Sequence, residues 1–144
     1  MNTSEYWENF KKENNLNNIN YYDAFSFGMN DIEADELLSL VLEEKKKATT
    51  SVYLENEKYP KIGDYSIVLD SNNEPKCIIK TTNYTIMPFK DMTYDIAKKE
   101  GEDECLETWI STHKKMFISE GKEYGYKFNE ELKIFFEEFQ VVYK

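Results

Sequence analysis

The sequence predicts an α+β domain whose sheet is curled or closed into a small barrel flanked by helices. Three observations predict it. The 144 residues contain no linker, internal repeat or low-complexity tract, so they suit one domain with one core. Four runs rich in β-branched and aromatic residues read as strands: ATTSVYL, DYSIVLD, KCIIKTTNYTI and KIFFEEFQVVY. The helical stretches between them follow no repeating βαβ rhythm, which argues against a doubly wound parallel sheet. Closure of the sheet would also hide the aromatic edges that such strands expose.

Each element has its own warrant. Residues 4–14 form a short amphipathic helix, with Ser4 as cap and Tyr6, Trp7 and Phe10 on its apolar side. An Asn-rich loop follows, and YYDAFSFG (21–28) is extended up to Gly28. NDIEADELLSLVLEEKKK carries a full helix signature. Asn30 and Glu33 have capping-box spacing, acids fill the first turn and lysines the last, and Ala34, Leu37, Leu38 and Val41 form the buried stripe. PKIGD (60–64) and SNNEP (71–75) are turns, so the strands after them pair as a hairpin. TYDIAKKEGED reads as a short helix ending near Gly101. The helix after it carries Leu106, Trp109, Ile110, His113, Met116 and Phe117 on one side. Residues 1–20 are expected as an N-terminal helix and loop, and residues 21–144 as the main domain.

Composition narrows the function. A content of 40% hydrophobic and 15% aromatic residues excludes a disordered chain. No stretch approaches the roughly 18–20 apolar residues of a membrane span, and the first residues lack the basic start and apolar middle of a secretory signal. Cys77 and Cys105 lie far apart without metal-ligand spacing, which suits reduced thiols in a cytoplasmic protein. The net charge is −10, and all 18 basic residues are lysines. Arginine, the side chain best fitted to bidentate phosphate and guanine contacts, is absent. A small ligand is therefore favoured over a polynucleotide. The single histidine, His113, sits in an apolar stripe, and the five glycines are scattered. No metal site, phosphate loop or cofactor is expected.

One junction invites chemistry: KKKATTS (45–51), three lysines against two threonines and a serine. A threonine hydroxyl is a weak nucleophile that needs a base, and an uncharged lysine can serve. In an extended segment Lys47 and Thr49 share a face while Thr50 points away, so a turn at the helix exit has to re-aim one before Lys47 and Thr50 meet. The bland account, lysines closing a helix before an ordinary strand, stays open here. Glu100, beside a glycine at the end of the short helix, is one candidate among 28 acids to orient a lysine base.

Several landmarks occur together and in order: AFSFG (24–28), ADELLSLVLEEKKKATTS (34–51), PKIGDYSIVLDSNNEPKCIIKTT (60–82), PF (88–89), AKKEGE (97–102), WISTHKKMF (109–117) and FEEFQVVY (136–143). With them the chain resembles the ASCH-domain proteins of the PUA-like superfamily. The resemblance implies a small β-barrel flanked by helices. Activities linked to that family include RNA binding, ribonuclease activity and hydrolysis of the acyl amide of N4-acetylcytidine. The last uses a Lys-x-x-Thr pair and a glutamate. Carried onto this chain, the resemblance implies Lys47 as base, Thr50 as nucleophile and Glu100 as orienting acid. Thr49 and Ser51 would border the oxyanion, and Phe27, Phe89 and His113 would contact a nucleoside-like substrate. The alternative partner is RNA, held in a cleft lined by Lys45–Lys47, Lys80, Lys98 and Lys99.

Overall fold

The computed structural model describes residues 1–144. In chain order the elements are α1 (Thr3–Glu13), β1 (Asp23–Phe25), α2 (Asp31–Leu42), β2 (Ala48–Val52), β3 (Tyr65–Leu69), β4 (Pro75–Pro88), α3 (Tyr94–Ala97), α4 (Leu106–Tyr124) and β5 (Lys133–Tyr143). A 3-10 turn, Lys98–Glu100, continues α3. The five strands form one sheet in the order β1-β3-β4-β5-β2. β1 runs parallel to β3, and every other neighbouring pair is antiparallel. The long strands β4 and β5 change register at Ile78/Ile79 and Thr81/Asn83. Such irregularities sharpen the local twist, and the sheet curls into a half-barrel, an α+β fold of the expected kind.

Strand alternation divides the core. Val68, Cys77, Ile79 and Phe139 face α2, where Leu38 and Val41, with Phe27 from the loop before the helix, complete a cluster. The opposite face carries two clusters. Ile67 and Ile78 meet Trp7 and Phe10 of α1, while Ala48, Ile134 and Phe136 meet Trp109 and Phe117 of α4. The N-terminal helix thus shares the core of the main domain. Its cap is Asn2, whose side chain accepts from Glu5 N–H, and not Ser4. Asn30 caps α2 through Glu33 N–H as the capping-box spacing predicts. α2 stops at Leu42, so the three lysines lie beyond its last turn rather than within it. No helix is long and apolar enough to cross a membrane.

Candidate active site

Two backbone devices set the approach to β2. Glu44 adopts a left-handed φ of 60°, which turns the chain out of α2. Lys47 N–H then donates to the Lys99 carbonyl at 2.9 Å, and the Lys47 carbonyl accepts from Phe139 N–H at 3.0 Å. Gly101, at φ 71°, lets the Lys98–Glu100 turn lie against this segment, because a Cβ there would overlap the Lys45 carbonyl.

These contacts sort the three lysines. Lys45 pairs with Glu43 in solvent. Lys46 turns inward and is 2% exposed. Its ammonium donates to Glu102 Oε2 at 2.6 Å and to the Ala48 carbonyl at 2.8 Å, lies 3.6 Å from Glu100 Oε1, and sits 5.4 Å from the centre of the Phe27 ring. Lys47 is exposed. It borders a separate hollow of about 310 Å³ with Glu44, Thr82 and Gln140. The lysine brought to the buried acid is therefore Lys46, one residue before the expected Lys47. The reason is that Lys47 spends its backbone bonds on both neighbours and leaves its side chain outside.

Glu100, 2% exposed, is the hub. Its Oε2 accepts from Thr50 Oγ1 at 2.8 Å and from the Trp109 indole N–H. Its Oε1 faces Lys46 and lies 3.4 Å from His113 Nε2. A lone buried carboxylate would be untenable, and two hydrogen bonds together with two flanking cationic groups make it bearable. Burial pushes the Glu100 carboxyl up, but the His113 hydrogen bond and the Lys46 charge outweigh it and hold the group below its usual range. His113 stacks on Trp109 with ring centres 4.1 Å apart, and its Nδ1 is 2.9 Å from the Trp109 carbonyl. Both ring nitrogens thus face oxygens, an arrangement that only the imidazolium satisfies. Burial opposes that charge, yet the hydrogen bond and charge of Glu100 prevail, and His113 is raised above its ordinary value.

The cluster opens on a cavity of about 400 Å³ lined by residues of both edge strands, β1 and β2. Alternation sends Thr50 toward α4 and sends Thr49 and Ser51 the other way; the cavity, at the free edge of β2, meets all three. Phe27 and His113 also line it. Phe89 does not. It is 2% exposed and stacks on the far face of Trp109, a core residue and not a platform for substrate. Six carboxylates line the cavity (Asp23, Glu33, Glu100, Glu102, Glu120 and Glu137) against two lysines, Lys46 and Lys58. The lysines expected in an RNA cleft are dispersed: Lys98 pairs with Asp95, Lys99 with Glu138, and Lys80 lies over the Tyr65 ring.

A family model for the ASCH domain matches residues 23–143. The chain belongs to the ASCH-domain family. A crystal structure of protein EF3133 from Enterococcus faecalis V583 is 30% identical, with a TM-score of 0.90 over 97% of this chain and 87% of that one. An ASCH domain from Lactobacillus crispatus JV V101 is 24% identical and superimposes with a TM-score of 0.89 over 98% and 94% of the two chains, a likeness of fold. No curated protein matches.

Trp109 and Glu102 complete the cluster around Glu100 and Lys46, although the sequence marked Trp109 only as part of an apolar stripe. Trp109 does stand four residues before His113 on α4, so the two share a helical face. The Glu100–His113 pair gives the domain a pH signature. His113 is raised above its ordinary value of 6.5, so its contribution is complete below about 6.5 and is lost as pH rises through the folded value. Glu100 is lowered below 4.5, so its contribution is complete above about 4.5 and is lost as pH falls through the folded value. The pair stabilises most between those limits. Melting temperature followed against pH should fall on the alkaline side in the wild type, and His113→Gln should flatten that limb.

Proposed function

We propose that the cavity hydrolyses the amide of a small N-acylated nucleoside, with N4-acetylcytidine as reference substrate. The observation that carries this reading is a buried lysine and a buried glutamate joined beside a threonine-lined cavity. The acidic lining supports a neutral or cationic ligand over a polynucleotide, whose phosphates it would repel. The volume suits a nucleoside. A reducing cytoplasm suits the two free cysteines.

With Lys46 as the inward lysine, the Lys-x-x-Thr spacing falls on Lys46 and Thr49. Lys46 Nζ already bonds the carbonyl that precedes Thr49. Thr49 is half-buried on the cavity wall, whereas Thr50 is 7% exposed and its hydroxyl proton is given to Glu100. In this reading Lys46 passes a proton to Glu102 Oε2, 2.6 Å away, and the amine so freed accepts the proton of Thr49 Oγ as that oxygen attacks the acyl carbon. The C–N bond breaks, the proton passes to the leaving amine, and water then cleaves the threonyl ester to release the carboxylic acid. Glu100 positions Lys46. Its charge is shared among His113, Trp109 and Thr50, so Lys46 is not its sole counter-charge. β2 is an edge strand, so alternate N–H groups point away from β5 and supply donors for the oxyanion.

The test is turnover of N4-acetylcytidine, read as release of cytidine. Thr49→Ala should lose on the order of 10³-fold or more in kcat, and Thr50→Ala should lose less because it only loosens Glu100. Full activity in Thr49→Ala would remove the nucleophile. No turnover by the wild type would overturn the hydrolase reading.

A further inference from the structure

Seven polar or charged side chains are buried in this chain: Lys46, Thr50, Ser66, Thr81, Glu100, His113 and Glu137. Six line the one cavity, and the seventh, Thr81, donates to Glu137 Oε2 at 2.7 Å. Lys46, Thr50, Glu100 and His113 form the network described above. Glu137 belongs to no part of it. It stands on β5, 8% exposed, in the middle of the apolar run KIFFEEFQ. A carboxyl in such a place is costly unless its hydrogen-bonding capacity is met.

Thr81 meets half of that capacity. The second carboxyl oxygen makes no hydrogen bond within the chain, yet it is not sealed off. The Tyr6 hydroxyl is the single fully buried side-chain polar atom left without a partner, so the free Glu137 oxygen is open to the cavity. Burial pushes the Glu137 carboxyl above its usual range, against the lowering hydrogen bond from Thr81, with the charge of Asp64 adding to the rise. A further donor would therefore relieve a standing penalty.

The register says where that donor would be. Glu137 is the direct cross-strand partner of Thr49. Side chains so paired have Cβ atoms about 4.5–5.5 Å apart. In an amide attacked by Thr49 Oγ, the nitrogen is one bond from the attacked carbon, so its N–H lies within reach of the neighbouring carboxyl.

We propose that Glu137 is the recognition residue of the cavity, accepting the N–H of a secondary amide and, after cleavage, an N–H of the freed amine. This deepens the amidohydrolase reading and rests on it for the placement of Thr49. It makes the site selective for a heterocycle bearing an amino substituent over its oxo counterpart. An oxygen at that position turns a lone pair toward the Glu137 carboxylate, and the mismatch leaves both acceptors unpaired.

Binding separates this from catalysis, because the product and its oxo analogue need no turnover. Calorimetric titration of the whole protein with cytidine and with uridine should show cytidine bound at least about tenfold more tightly, as expected when a buried acceptor loses its donor. Glu137→Gln should bring the two affinities within about threefold, since the Gln amide can turn to donate to the uridine oxygen. It should melt no lower than the wild type, because it removes a buried charge. Should Glu137→Gln not fold, Thr81→Val, which frees the carboxylate, must weaken the preference. Absence of preference in the wild type, failure of both nucleosides to bind, or a preference unchanged in these variants overturns the role of Glu137. Hydrolysis of N4-acetylcytidine without cytidine preference would overturn Glu137 alone. Cytidine preference without hydrolysis would overturn the enzyme reading and leave the recognition residue standing.

Discussion

Lys46→Met is expected to lower kcat/KM on N4-acetylcytidine by about 10²–10⁴-fold, the range that a positioned general base contributes. Lys47→Ala should stay within about twofold of the wild type, as an exposed substitution away from the site does. The contrast follows from one residue of register. Lys46 is 2% exposed and bonded to Glu102, to the Ala48 carbonyl and, more distantly, to Glu100. Lys47 is exposed and anchored only through its backbone. Methionine keeps much of the apolar stem of lysine and its contact with Phe27, so the loss would report the amine and not the packing. Steady-state kinetics on the two variants decides the matter. If Lys47→Ala were the inactive one, the inward lysine would have no part in proton transfer.

That single-residue displacement shows where sequence reading reached its limit. The strands, the hairpin and the capping box at Asn30 were legible because periodicity and turn chemistry repeat over many residues. Three consecutive lysines are alike in composition, and only the left-handed turn at Glu44 and the clamp of Lys47 between Lys99 and Phe139 distinguish them. Both are tertiary facts. Phe89 misled for a related reason. An aromatic beside a proline offers no sign of which face it presents, and here it backs Trp109 from inside the core. Glu100 and Thr50 did converge, because the turn after α3 is fixed by Gly101, a signal visible in the sequence. Glu137 had a signal too: an acid between Phe136 and Phe139 in a strand otherwise destined for burial.

Glu100→Ala should destabilise the fold by about 3–5 kcal/mol, the cost of removing one member of a buried ionic network. In a domain of this size that corresponds to a fall of roughly 6–20 °C in melting temperature. The carboxylate accepts from Thr50 and Trp109 and faces the charged Lys46 and His113, and these four arrive from the α2–β2 connection, from β2 and from α4. Its loss strands the Trp109 indole N–H and the Thr50 hydroxyl and deprives His113 of the acceptor that favours its charge. Lys46 keeps Glu102. Glu100→Gln should cost less, about 1–3 kcal/mol, because its carbonyl oxygen can still accept from Thr50 and Trp109 and its amide can donate to neutral His113, although it no longer pairs with Lys46. Chemical denaturation of both variants tests the order, and an Ala variant as stable as the wild type would mean that the network holds the site without holding the fold. The two variants also part on pH. With the Glu100 charge gone, His113 keeps only the Trp109 carbonyl and the more distant charge of Glu102, so the alkaline loss of stability should shrink in either variant relative to the wild type. A hub that both steadies the sheet edge and aims the lysine binds activity to folding at this one carboxylate.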